Sequence, residues 1–154
     1  MSAQRVRRVS PSSTAVGDGT PSADYVSAFE LDPHGTRRTA EHWARSVFEH
    51  APAVMRILLV LGWRLVLGLR LGPRPATGFV LGWHIASAEP EILVLESHSP
   101  FLTARNIVAA SDSTVTWTTL VRFDRRIARP VWNIVRPVHE LAIPYLLRRA
   151  AGRA

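Results

Sequence analysis

The stretch Arg126 to Arg149, RIARPVWNIVRPVHELAIPYLLRR, decides how the rest of the chain is read. Wound at ~100° per residue, it gathers Val131, Ile134, Val135, Val138, Leu141, Ala142, Tyr145 and Leu146 on one broad arc. Arg129, Asn133, Arg136, Glu140 and Arg148 fall on the opposite side. Pro130, Pro137 and Pro144 recur every seven residues and so align on the polar flank. An interior proline lacks the backbone donor and its ring crowds the preceding turn, which bends a helix away from it. The pattern predicts a long, kinked helix with its apolar arc turned inward over a surface made by the rest of the chain.

Upstream of this helix the periodicity is that of strands. Phe79, Leu81, Trp83 and Ile85 alternate with Val80, Gly82, His84 and Ala86. Runs from Ile92 to His98, Phe101 to Ala109 and Thr114 to Phe123 follow, joined through Glu89-Pro90-Glu91 and Ser111-Asp112-Ser113. In the last run Val115, Trp117, Thr119, Val121 and Phe123 face one way, and Thr114, Thr116, Thr118 and Arg122 the other. Links this short make successive strands antiparallel neighbours, so a meander of about four strands is expected.

Before the meander, Gly72-Pro73-Arg74-Pro75 breaks a helical pattern. Thr39 is a suitable N-cap for a helix from Ala40 to His50, with Trp43, Ala44, Val47, Phe48 and Ala51 at core spacing. Pro52 opens a second helix at an angle, Ala53 to about Leu71. That helix is apolar, yet Arg56, Arg64 and Arg70 would each cost ~2.5–3.5 kcal/mol near a bilayer centre. Its longest uncharged run, Ile57 to Trp63, is too short to span a membrane. Its arginine side also carries Val60, Trp63 and Leu67. Either a neighbouring element covers them, or an Arg/Trp/Leu face meets a membrane surface or a second subunit. Tyr25 to Leu31 reads as a first strand with Tyr25, Phe29 and Leu31 on one face, closed by the turn Asp32-Pro33-His34-Gly35. Residues 1–20, rich in Ser, Thr, Pro and Gly, are expected to form a disordered leader, and 21–150 one domain.

The chain of 154 residues carries 19 basic and 12 acidic side chains, for a net charge of +7, and every basic residue is arginine. The charges are scattered, so the balance gives no footprint of nucleic-acid binding. Cysteine is absent, which removes disulfides and thiolate metal sites. Arg5, Arg7 and Arg8 precede no apolar segment, so no export signal is read and a cytoplasmic protein, peripheral to a membrane at most, is expected.

The order strand, two helices, antiparallel meander, long terminal helix resembles the START-like helix-grip superfamily, or SRPBCC, which includes polyketide cyclases. More narrowly, Val80-Leu81-Gly82-Trp83, Ser99-Pro100-Phe101-Leu102-Thr103-Ala104-Arg105, and Pro137-Val138-His139 with Pro144-Tyr145-Leu146-Leu147-Arg148-Arg149 resemble an uncharacterised actinobacterial branch. The resemblance implies an α+β fold in which a curved antiparallel sheet wraps a long C-terminal helix around an apolar cavity. It further implies lipids, polyketides or other hydrophobic small molecules as ligands, and in some members cyclisation or dehydration. No cofactor is implied.

Against that expectation the chemistry-bearing residues are few. His139 sits within the apolar arc: either a core histidine bonded to a strand, or a cavity group that orients or protonates a ligand. Trp83, Trp117 and Trp132 are expected on inward faces, as core or as ligand-stacking surfaces. Tyr145 lies on the same helix and offers a hydroxyl to a bound carbonyl. Arg105 is either solvated or an inward partner for a carboxylate. His42 and His50 lack metal-ligand spacing, and no HExxH, glycine-rich phosphate loop or GxSxG elbow is present. The expectation is a hydrophobic-ligand binder, with a His139-dependent cyclase or dehydratase and a membrane or dimer surface around Trp63 as alternatives.

Overall fold

The computed structural model describes residues 5–11, 23–33, 37–73 and 77–152. Within them the chain is α+β: β1 (Val6–Val9), β2 (Tyr25–Leu31), α1 (Ala40–Phe48), α2 (Ala53–Leu61), β3 (Phe79–Val80), β4 (Trp83–Ala88), β5 (Ile92–His98), β6 (Leu102–Ala110), β7 (Val115–Phe123) and α3 (Ala128–Ala151). The strands form one antiparallel sheet in the order β1-β2-β7-β6-β5-β4-β3. The α1–α2 connection carries the chain from β2 to the far edge. The meander then returns strand by strand until β7 pairs with β2.

Strand register sorts the inner face into rungs. Phe29, Trp117, Val108 and Leu93 stand side by side on four neighbouring strands, all buried. The next rung is Ser27, Thr119, Asn106, Leu95 and Ile85, so three buried polar residues lie together in a mostly apolar face. The opposite face carries ion pairs such as Arg105–Glu96 at 2.9 Å and Arg7–Glu30.

Helix α1 packs over β5 and β6, and α3 lies over β1 and β2 and against α1. Thr39 caps α1 by accepting the His42 N–H at 3.1 Å, and Trp43, Val47 and Phe48 are fully buried. Side chains of that size stabilise by ~1.5–3 kcal/mol each when removed from water. The two helix ends are stitched together by Arg38 Nη1 donating to Ala150 O at 3.2 Å and Arg149 Nη1 to His50 O at 2.7 Å. The first of these places a cation at the carbonyl end of α3, where the helix dipole favours it.

Several expectations are corrected. Within the stretch 1–20 that was read as a leader, Val6–Val9 forms an edge strand on β2, while residues 1–4 and 12–20 lie outside the described residues. The expected turn at 32–35 and breaker at 72–75 are described only in part. The alternation from Phe79 to Ala86 is not one strand but a hairpin, with Val80 paired to Trp83 across Leu81 and Gly82. Both turn residues have positive φ, 46° and 93°, as the tight turn matching strand twist requires. Leucine there is strained, and its burial together with its N–H donation to Glu49 Oε2 at 3.2 Å holds it. Five strands therefore follow the helices, not four. The second helix stops short of Leu71: α2 passes into a π-helical turn at Gly62–Val66, and Gly68, at φ 66°, ends it.

The largest correction concerns α3. It runs unbroken through Pro137 and Pro144, and its buried residues are Ala128, Trp132, Ile143, Leu146, Leu147, Ala150 and Ala151. Ile134, Val138, Leu141 and Tyr145, expected inside, are exposed. An apolar arc that broad exceeds what one contact can cover, and neighbouring α1 takes the C-terminal half of the helix on a rotated face.

Candidate functional site

Between the polar rung, the α2 end and α3 the packing leaves a cavity of about 110 Å³. Phe48 from α1 and Leu58, Leu59, Gly62 and Trp63 from the α2 region form one side. Trp132, Val135, Val138, His139, Ala142 and Ile143 of α3 form the roof. Ala104, Asn106, Thr119 and Val121 form the floor, with Trp83 at one end. The space survives because rigid aromatic rings meet edge to face and cannot collapse into it. Phe48 contacts Trp63 and Trp117, each at 5.0 Å between centroids, and Trp63 contacts Trp83 at 5.5 Å. On the other side Trp132 lies 5.0 Å from Tyr25 and 5.5 Å from His139.

The polar groups of the wall divide into satisfied and unsatisfied. Asn106 Oδ1 accepts from Trp117 Nε1 at 3.0 Å and from Thr119 Oγ1 at 2.7 Å. An indole nitrogen only donates, so these bonds fix which end of the amide is oxygen. By contrast Trp83 Nε1 and Trp132 Nε1 are buried and find no acceptor among the described residues. Leaving a buried donor unpaired costs ~1–3 kcal/mol, and both indoles line the same cavity.

His139 keeps part of its surface accessible at the edge of α3, but its ring is set among Tyr25, Trp132 and Ser27, whose Oγ lies 3.4 Å from Nε2. Burial pushes its pKa down to about 4, with Arg8 adding to the effect and Glu140 opposing it. The imidazole is therefore neutral near pH 7. Glu140 itself belongs to another cluster, where Oε1 accepts from Tyr25 at 2.9 Å and Arg8 at 3.2 Å, tying α3 to β1 and β2, and forms an ion pair with Arg136 at 3.3 Å. No carboxylate lines the cavity among the described residues.

Of the residues singled out from the sequence, Trp83, Trp132 and His139 meet at the cavity. Trp117 is fully buried one rung further along the same inner face, against Phe48, and belongs to the core. Arg105 is on the outer face, paired with Glu96, because its strand parity is opposite to that of Ala104 and Asn106. Tyr145 is 46% exposed on the far side of α3 and offers the cavity nothing. Trp63 packs inward against Phe48 and Trp83, and its neighbours Val60 and Leu67 are buried, so these three side chains are covered by the rest of the fold. Asn106, Thr119, Phe48 and Ser27 were not singled out. For Asn106 the signal was present, a lone polar residue sharing the parity of Ala104 and Val108.

The fold and site define an α+β protein with a small, mostly apolar, aromatic-walled cavity under its terminal helix. The chain belongs to the family described as a protein of unknown function, DUF2867, whose profile matches residues 20–146. No curated protein and no solved structure matches it. Among the described residues no cluster of side chains is arranged to hold a metal ion.

Proposed function

We propose that this chain is a START-like helix-grip binding module for an uncharged hydrophobic molecule bearing a hydrogen-bond-accepting oxygen, of ketone or ester type. The observation that carries the reading is that Trp83 and Trp132, whose buried Nε1 donors have no partner among the described residues, both line one cavity. Apolar walls favour a hydrophobic ligand, and donors without acceptors favour one that brings an acceptor. The absence of any lining acid or arginine among the described residues leaves no counter-charge for an ionic head group.

Size sharpens the ligand class. A cavity of ~150 Å³ holds benzene, so 110 Å³ takes the oxygenated head of a lipid or polyketide-like molecule and not the whole. Leu58 and Val138 line the cavity and are also 61% and 64% exposed. They border an opening through which a hydrocarbon tail would leave. The cyclase or dehydratase alternative has less support: a general acid works best with a pKa near the working pH, whereas His139 lies at about 4.

Native mass spectrometry of freshly purified protein should reveal a copurifying apolar, oxygen-bearing molecule. Tryptophan fluorescence titration with a 2-alkanone and with the alkane of equal length tests the donors directly. The ketone should bind more tightly, and Trp132→Phe should weaken it by ~2–10-fold, the worth of one net hydrogen bond, without affecting the alkane. Equal affinity for ketone and alkane would sink the proposal.

A further inference from the structure

Two apolar stripes outside the cavity are left uncovered. On α2 and its π-helical extension Val54, Leu58, Leu61 and Leu65 recur at one-face spacing, and Leu65 is 77% exposed. On α3 Ile134, Val138, Leu141 and Tyr145 repeat the same spacing, and Leu141 is 76% exposed. Leu58 and Val138 also line the cavity, so the stripes border the same opening from its two sides.

Most charges along these two segments are positive; of the carboxylates beside the stripes, Glu49 is paired with Arg45. Between Glu49 and Glu89 the chain has four arginines and no acidic residue. From position 125 to the end it has seven arginines and one acid, Glu140, which is engaged by Tyr25, Arg8 and Arg136. Arg64 follows Leu61 by three positions and Arg148 follows Tyr145 by three, so each lies at the margin of a stripe. Both are exposed, and neither makes an ion pair or side-chain hydrogen bond among the described residues.

We infer that the α2 and α3 stripes seat this protein on an anionic lipid bilayer, with the cavity mouth facing the lipid. Amphipathic helices that lie in the interface bury an apolar face at the acyl boundary and place arginines at the phosphates. Such a surface supplies both the apolar and the negative partner that the stripes lack. A second copy of the chain supplies only the first, since its own arginines would meet these across the contact. No single helix among the described residues is long and apolar enough to cross a membrane.

Co-sedimentation of the full chain with vesicles tests this independently of ligand uptake, which the Trp132→Phe titration reads. The protein should sediment with mixed phosphatidylcholine–phosphatidylglycerol vesicles at low salt and be released as salt rises, and remain largely free with phosphatidylcholine alone. Leu65→Glu and Leu141→Glu, at exposed sites that leave the thermal melt unchanged, should each weaken partitioning by ~10-fold or more. Arg64→Glu with Arg148→Glu should abolish the preference for the anionic vesicles. No sedimentation with the mixed vesicles overturns the inference. So does equal, salt-insensitive binding to both, or a dimer in light scattering that Leu65→Glu disperses while vesicles remain unbound.

Discussion

Trp117 Nε1 donates to Asn106 Oδ1 at 3.0 Å on the inner face of the sheet, and Thr119 Oγ1 shares the same acceptor at 2.7 Å. One amide oxygen thus satisfies two buried donors on the neighbouring strand, while two other indoles in the cavity wall have no such partner. The contrast separates a tryptophan whose donor supports the fold from two whose donors are left unpaired among the described residues.

Asn106→Ala should accordingly destabilise the protein by ~2–4 kcal/mol, because it orphans both donors and opens space beside them. Thr119→Val, which removes one donor and leaves the Trp117 bond intact, should cost no more than ~1.5 kcal/mol. Urea denaturation of both variants checks the ranking. Equal effects would mean that Asn106 is not the shared acceptor in solution.

His139 predicts a pH dependence of stability with a definite sign. Its folded pKa, about 4, lies below the ordinary value of 6.5, so between those values the unfolded chain binds a proton that the native state excludes. Stability should be full above pH 6.5, fall as the pH drops towards 4 and then level off for this group, a loss on the order of 3 kcal/mol. His139→Gln should flatten that part of the profile. A wild-type curve level across the window would show that the imidazole titrates freely.

At the hairpin turn Gly82 combines φ 93° with a close approach, since a Cβ there would stand 2.8 Å from Leu71 Cβ. Gly82→Ala therefore meets both a backbone penalty and a clash with an atom that has little freedom to move. A loss of ~1–3 kcal/mol is expected, read as a lowered melting temperature. An unchanged melt would show that the hairpin relaxes without cost.

Much of the architecture was legible because period and punctuation are local. Thr39 and Pro52 marked helix starts, Glu89-Pro90-Glu91 and Ser111-Asp112-Ser113 marked turns, and the long meander strands lie within a residue or so of expectation. Reading failed where local pattern is ambiguous. Phe79 to Ala86 alternates equally well as one strand or as two folded back on each other, and only the positive φ of Leu81 and Gly82 distinguishes them. Val6–Val9 has too few residues to signal a strand, and its pairing with β2 is a long-range event.

The sequence by itself determined the succession of helices and strands and the placing of Trp83, Trp132 and His139 on inward faces, because a residue's face follows from its own segment's period. Tertiary structure alone decided that Ser27, Thr119 and Asn106 share one rung, since strand register brings together positions far apart in the chain. It alone decided which half of the apolar arc on α3 is covered, because α1 and the sheet occupy only part of that surface. The exposed half and the unpaired indoles are products of how rigid elements meet, which no segment encodes alone.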